Sequence, residues 1–443
     1  MSAQKQRNIL WKIQNKIRVV YEDNKRKALT VQRIFRLSID KMFYLPDENP
    51  SLKKIKLADN KPLTTLEFAR VEKLCDIFAA IGKAGDVAPP EGGEFWSQAK
   101  EGNNPFDLHL RKDKSEIEHS FLFNTRFRDF PGVAYEEDEY TPTPDFWVRR
   151  YIRLSNAVPV KWRVRVPARF GEIGWDVRGY PVNRLTSINQ ERINAMHLSG
   201  IARYLEQTSA PRIMEIGAGS GEMGYALCKA LPQCTWYDCD LLGSLVYSAI
   251  HLAVLLPEKQ HYIYVGNLDL PRDLDESFII RSASEASKLT NAIVNIPNFL
   301  IGDFVGHLQL HMACNTYSFA EMPPDAVEQY ADVLGNLLKD RGILFEQNGH
   351  LTHSGDRSVE SMLAKRFHQQ QWTWDFDYGS IKLLSGGMRS WSNTSVTKDL
   401  HKNISNYEVY KIINSLDDRQ DKVDIEYSAA AWEKIKALFP HSI

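Results

Sequence analysis

The chain has 443 residues, 43% of them hydrophobic, and a formal net charge of −1, which provides for a large core and gives no overall pull toward nucleic acid or an anionic surface. Its five cysteines, Cys75, Cys228, Cys234, Cys239 and Cys314, form no CxxC pair and leave an odd count; reduced thiols fit this better than a disulfide frame or a zinc site. The first residues lack a signal-peptide core, and the longest apolar run, Ser244 to Leu256, is shorter than a membrane span, so a cytoplasmic protein is expected.

Residues 1–140 read as a mainly helical N-terminal extension. From Met1 to Phe43, basic residues (Lys12, Lys16, Arg18, Lys25, Arg26, Lys27) accompany Leu10, Ile13, Ile17 and Val20 at helical spacing. This predicts a helix docked on the body with its lysines in water, and the same pattern offers a peripheral membrane contact. A second helix is predicted near Thr64 to Ile81, followed by two exposed connections, DVAPPEGGEF and YEEDEYTPTPDF.

Residues 141–189 are basic and aromatic together: Arg149, Arg150, Arg153, Lys161, Arg163 and Arg165 interleave with Trp147, Tyr151, Trp162, Trp175 and Tyr180. Sugar faces stack on such rings, and arginines suit phosphates or carboxylates. Within the segment, VPVKWRVRVP reads as an alternating strand with its arginines in water. Single-stranded nucleic acid favours a similar mixture, but the neutral net charge and the lack of a [DN]PP[YF] element argue against it.

Residues 190–443 alternate helices with short apolar strands, the pattern of a parallel α/β sheet. A helix is predicted over Gln190 to Leu205, then a strand over Arg212 to Ile216, a glycine turn, and a helix over Tyr225 to Leu231. In the turn, Gly217, Gly219 and Gly221 clear side chains from the path of a nucleoside-sized ligand, and the next helix offers free N–H groups. Gly219-x-Gly221-x-x-Gly224 also satisfies the dinucleotide pattern. Glu215 and Glu222 would repel a pyrophosphate, whereas S-adenosylmethionine brings an ammonium and a sulfonium that acids favour. The next strand, Thr235 to Cys239, ends at Asp240, placed to accept both ribose hydroxyls; Asp238 lies one alternation further back.

The stretches FGEIGWDVRGYPVN, QERIN, EIGAGSG, YDCDLL, ACNTYSFAEM and ILFEQNG, taken in this order, resemble the sugar O-methyltransferases, a branch of the class I S-adenosylmethionine-dependent methyltransferases. The likeness runs from Phe170 to Asn393 and departs from the family at Ala218, Ser220 and Leu242, where glycine, tyrosine and proline are expected. It implies a doubly wound, mostly parallel sheet with S-adenosylmethionine across the carboxyl ends of the strands. Glu215, Gly217, Gly219, Gly221, Asp240 and Asn315 are then the candidate cofactor residues. Asn298, leaving the strand Ile293 to Pro297, would cover the adenine unless His261 to Val265 is the true third strand.

The acceptor is expected at the exits of a fourth strand, Leu308 to Cys314, and a fifth, Ile343 to Phe345. Ser318 and Asn348 are candidate substrate contacts there, with Glu172, Trp175 and Asn183 upstream. A sugar hydroxyl is a poor acid, so its proton needs a base, for which Glu321, His350 and His353 are the candidates by position. Against these roles, Glu321 also suits a cap for a helix starting near Pro323, and the histidines suit loop surface. His307 and His311 sit too far apart on a strand to share a metal, and a divalent-metal requirement stays open. The expected activity is methylation of a hydroxyl on a sugar, nucleotide sugar or glycoside, in polysaccharide or natural-product assembly. Two other readings are a non-catalytic S-adenosylmethionine-binding scaffold and a nicotinamide oxidoreductase.

Overall fold

A computed structural model of the chain describes residues 54–55, 61–84, 144–156, 158–169, 172, 174–339, 341–348, 358–367, 369–374 and 388–392. The basic stretch 1–43, the connection DVAPPEGGEF, residues 135–143 of the second connection, His350 and His353 lie outside these residues; the end of that second connection, Pro144 to Phe146, is the start of a helix and not a loop.

The centre is a nine-stranded sheet. Seven strands are parallel: β4 (Arg212–Ile216), β5 (Thr235–Asp240), β6 (Gln260–Tyr264), β7 (Ile279–Ile280), β8 (Ala292–Pro297), β9 (Met312–Thr316) and β10 (Ile343–Gln347). Two more, β11 (Gln369–Trp374) and β12 (Met388–Ser392), add an antiparallel pair at the β10 edge. The order is β11-β12-β10-β9-β4-β5-β8-β6-β7. The chain thus runs outward from β4 to one edge and returns to β9 on the other side, making β4/β9 the switch point where such sheets open a crevice. The strand beside β5 is β8, with β6 beyond it. Ala292–Pro297 therefore adjoins β5, and His261–Val265 does not.

Alternate residues along each strand serve opposite faces. Ile213, Trp236, Ile263 and Met312 join one apolar core, and Met214, Tyr237, Val294 and Ala313 the other. The first is covered by α1 (Thr65–Ala84), α2 (Pro144–Asn156), α3 (Arg184–Leu198), α4 (Ile201–Glu206), α5 (Glu222–Ala230) and α6 (Leu242–Leu255). The second is covered by the 3-10 helix Asn298–Phe304, α8 (Ser318–Glu321), α9 (Pro324–Leu338) and α10 (Val359–Leu363), with α7 (Ala283–Ala286) at its margin. The single helix expected over Gln190 to Leu205 is two, divided at Gly200, which takes φ 77°.

The N-terminal part is built into this body. Thr64 and Glu67 make a reciprocal cap at the start of α1: Glu67 Oε2 accepts from the Thr64 amide at 2.8 Å, and Thr64 Oγ1 accepts from the Glu67 amide at 3.3 Å. Helix α1 packs on α6, and Arg70 Nη1 donates to the Ala253 carbonyl at 3.1 Å. A small antiparallel sheet joins β1 (Lys54–Ile55) to β2 (Gly174–Val177) and β3 (Tyr180–Val182).

The basic and aromatic segment differs from expectation. VPVKWRVRVP is not a strand: Val160–Trp162 is a 3-10 turn, and Trp162, Val164 and Val166 are buried. Arg163 points inward and donates from Nε to the Ser155 carbonyl at 2.8 Å. Arg150 pairs with Glu191, and Trp162 Nε1 donates to Glu206 at 2.7 Å. Arg150 thus latches α2 onto α3, while Arg163 and Trp162 tie the turn to α2 and α4.

In the glycine stretch, Gly224 faces the Trp236 ring of β5, and a Cβ there would lie 2.8 Å from it. This third glycine of the apparent dinucleotide pattern is required by helix–strand packing. Gly224→Ala is expected to cost about 1–3 kcal/mol through overpacking, read as a lower urea midpoint with an unchanged slope.

Candidate functional site

The candidate site lies at the carboxyl ends of β4, β5, β9 and β10. Gly217, Gly219 and Gly221 all take positive φ, at 75°, 56° and 75°, but different neighbours need each glycine. A Cβ at Gly217 would come within 2.5 Å of Ser318 Cβ, and one at Gly221 within 3.0 Å of Ser248 Cβ, whereas among the described residues nothing beyond its chain neighbours would lie within 4 Å of one at Gly219. Protein packing demands the outer two glycines; of the three, Gly219 alone is left open by the described residues.

Asp240 binds this loop to the next strand exit. Its Oδ2 accepts from the Gly219 amide at 2.9 Å and its Oδ1 from the Leu241 amide at 2.7 Å. Burial nonetheless pushes its carboxyl up to about 6, with the Glu321 charge adding to the rise. Glu321, the last residue of α8, is half-buried and near enough to be felt at Asp240. Helix α9 is capped at Pro323 without a side-chain bond, so Glu321 does not serve as that cap. Beyond Asp240, Asn298 opens the 3-10 helix after β8, and the Tyr330 hydroxyl of α9 lies against it.

Deeper in the sheet Glu215 stands beside Asp238 on β5, and Asp238 beside Asn295 on β8. All three are buried, and Glu215 Oε2 has no hydrogen-bond partner among the described residues. Burial raises Glu215 well above the usual carboxylate range, with Asp238 adding to the effect; burial pushes Asp238 up to about 8. Glu222, at the first turn of α5, is also enclosed. The site is thus a store of acids, part of which hold their protons at neutral pH.

Several sequence-predicted contacts are spent inside the protein. Asn315 Nδ2 donates to the Ile216 carbonyl at 2.9 Å and to Ser318 Oγ, while its Oδ1 accepts from the Phe319 amide at 3.2 Å and Asn348 Nδ2 at 2.9 Å. Ser318 Oγ donates to the same Ile216 carbonyl at 3.1 Å, and Asn348 Oδ1 accepts from the Ala320 amide at 3.1 Å. Asn348 Nδ2 also donates to Glu346 at 2.9 Å. Together these residues form a frame that ties α8, which ends at Glu321, to the exits of β4 and β10. Asn183 is likewise occupied as the N-cap of α3, accepting from the Thr186 amide at 2.9 Å. Trp175 is 2% exposed in β2 and presents no ring face to an acceptor. Glu172 is buried near His251 of α6 and Tyr225 of α5, its Oε1 lying 3.5 Å from His251 Nε2.

Three groups escape the sequence pattern. Arg192 of α3 reaches the ends of β9 and β10. Arg389 of β12 pairs with buried Glu346 at 2.6 Å and with Glu360 at 2.9 Å, bracing the Asn348 frame. Tyr330 sits mid-helix with no local signal. Of these, only Arg192 falls within a quoted stretch, QERIN. His311 Nδ1 accepts from the Arg212 amide at 3.0 Å, and no group of three His, Cys, Asp or Glu among the described residues is placed to hold a metal. No helix among the described residues is long and apolar enough to cross a membrane.

No family model and no curated protein matches the chain. Among solved structures it is similar to a methyltransferase of Leishmania major described as S-adenosylmethionine-dependent, at 11% identity over 56% of this chain and 82% of that one, with a TM-score of 0.27. It is also similar to the O-methyltransferase TomG of Streptomyces achromogenes, described as acting in tomaymycin synthesis, at 12% over 57% and 100%, TM-score 0.30. A third is the mitomycin 7-O-methyltransferase MmcR, at 11% over 74% and 94%, TM-score 0.26. Likeness this distant says nothing of cofactor or acceptor, which rest on the chain's own residues.

The raised carboxyls fix a pH dependence. Asp238 and Asp240 keep a proton in the folded chain from the ordinary 3.8 up to about 8 and about 6, where the unfolded chain has lost it. Their contribution to stability is therefore full at the acid end of that window and falls as pH rises through it. Ligand-free protein should lose melting temperature between about pH 5 and about pH 8, and Asp238→Asn should flatten that decline. An unchanged slope in the variant would count against a proton held at Asp238.

Proposed function

We propose that the chain is an S-adenosylmethionine-dependent O-methyltransferase whose acceptor is a hydroxyl of a sugar or glycosylated compound. The observation that carries the cofactor reading is Asp240, a half-exposed carboxylate held by two backbone amides at 2.9 and 2.7 Å beside the open Gly219. Its free lone pairs face the place where a nucleoside ribose has two hydroxyls to donate. The buried acids behind it fit the other half of the molecule, since Glu215 and Asp238 gain by ionising only when positive charge arrives.

S-adenosylmethionine, when bound, supplies a methyl group already activated on a positive sulfur. The residues of the chain then have two tasks. Asp240, Gly219 and the Asn298–Tyr330 side of the crevice orient the nucleoside, and the Asn315–Ser318–Asn348 frame holds α8 so that Glu321 stands at the opening. Glu321 takes the proton of the acceptor hydroxyl, the step for which a poor acid needs help. The sugar part of the proposal rests on the sequence resemblance; among the described residues Trp175 and Trp162 are enclosed, so acceptor stacking is assigned to neither.

A nicotinamide dinucleotide suits this crevice poorly. Its pyrophosphate would meet Glu215 and Glu222 at the strand end and the first helical turn, and Gly224, which completes the dinucleotide pattern, is explained by Trp236. The test is paired. Asp240→Ala should weaken S-adenosylhomocysteine binding by about tenfold or more in calorimetry. Glu321→Gln should leave that affinity unchanged and lower turnover on a glycoside panel by roughly a hundredfold or more. Unchanged affinity in the first variant would remove the ribose assignment, and unchanged turnover in the second would remove the base.

A further inference from the structure

Tyr317 directly follows β9 at the switch point and takes φ 71°. A left-handed backbone suits glycine or asparagine, and a bulky residue adopts it only where the surrounding structure imposes it. The surroundings do so here. The Tyr317 amide donates to the Gln347 carbonyl at 2.7 Å, and the next residue, Ser318, is fixed to the Ile216 carbonyl at 3.1 Å. The side chain held in this way is half-exposed, not part of the core. Strain retained at a strand exit for a ring that fills no core position points to a use for the ring.

Arg192 stands behind that ring. It is buried, and its guanidinium lies 5.2 Å over the ring centre. Its Nε donates to Gln347 Oε1 at 2.8 Å and its Nη1 to Asn189 Oδ1 at 2.6 Å. Gln347 therefore holds Tyr317 by its carbonyl and the backing cation by its side chain. A guanidinium anchored at two points and attracted to the ring face leaves the tyrosine little freedom to turn, so the ordering cost of a contact to it is met in advance. Among the described residues it is the one half-exposed ring at the β9 and β10 exits, since Phe319 is buried and Trp162 and Trp175 are enclosed elsewhere.

We infer that Tyr317 is the acceptor platform, its ring stacking on the apolar face of the sugar whose hydroxyl is methylated. This rests on the proposed function and deepens it by naming the residue that recognises the acceptor. Two placements support it. Ser318, the neighbour of Tyr317, lies against Gly217 of the glycine turn, so the ring stands on the border between the nucleoside side of the crevice and the acceptor side. Tyr317 is also the N-cap residue of α8, whose last residue is Glu321. Four helical residues rise about 6 Å, the scale of one sugar ring, so a sugar seated on the platform spans the distance to the proposed base. Tyr317 binds in this scheme and takes no proton; Arg192 acts only by positioning it.

The test uses the full chain and a panel of glycosides, nucleotide sugars and sugar-free phenols, with kinetics on the glycoside or nucleotide sugar turned over fastest. Tyr317→Asn and Tyr317→Gly remove the ring and accept the left-handed backbone; Tyr317→Phe keeps the ring. The two ring-less variants should raise the acceptor KM by about tenfold or more, with kcat and S-adenosylhomocysteine affinity little changed, and the phenylalanine variant should behave as the unmodified protein. A thermal melt shows which variants are folded. An unchanged KM in a folded ring-less variant overturns this inference alone, as does a loss of S-adenosylhomocysteine affinity that matches the loss of turnover, or a failure of both ring-less variants to fold, which would make the ring a structural part. Turnover by the unmodified protein of phenols only, or of no member of the panel, overturns the sugar reading and this inference with it.

Discussion

The Asp240 carboxylate accepting from the amides of Gly219 and Leu241 is the contact on which the site depends. It joins the turn after β4 to the exit of β5, two segments that parallel pairing alone brings side by side. A loop with three positive-φ glycines has many alternative shapes, and two charge-assisted bonds to one half-buried acid select among them. On the other side, the Asn315 and Ser318 bonds to the Ile216 carbonyl fix the β9 exit against the same loop. The crevice is therefore set from both flanks before any ligand arrives, which lowers the ordering cost of binding.

Beneath that tie lies an electrostatic constraint. Glu215 and Asp238 are neighbours in the sheet, both buried, and a second ionised carboxylate at that spacing is strongly disfavoured. The protein tolerates them by keeping protons on. Such a pair adds little to a core and would be replaced by apolar residues at small cost if packing were its only purpose. Under the proposed function, the pair serves as a reservoir of negative charge released when a cation enters.

Much of the architecture was legible in the sequence because the strands of a doubly wound sheet are short apolar runs ending in polar residues. Arg212–Ile216 matches its predicted bounds, and Asp240 and Glu321 fall at the exits assigned to them. The order of β8 and β6 was not legible, since either apolar run pairs equally well with β5 by composition. The segment 141–189 misled for a different reason. Tryptophans and arginines look alike whether they face a ligand or each other, and here Arg150, Arg163 and Trp162 find partners on α3, α4 and the α2 carbonyls. Asn315, Ser318 and Asn348 follow the strands β9 and β10 or end them, which the sequence shows; that they bond to one another and to the Ile216 carbonyl is visible only in the structure. Arg192 carried a signal only through a motif, because its meaning depends on Tyr317 and Gln347, which lie far along the chain.

The most direct test of the central claim, that acids line this crevice because its guest is positive, is proton counting. S-adenosylmethionine binding should be measured by calorimetry at neutral pH in buffers of different ionisation enthalpy. A positive guest lowers the carboxyls at Glu215, Asp238 and Asp240, so the account predicts net proton release on binding, reduced in Asp238→Asn. Net proton uptake, or binding with no proton change in the unmodified protein, would contradict it.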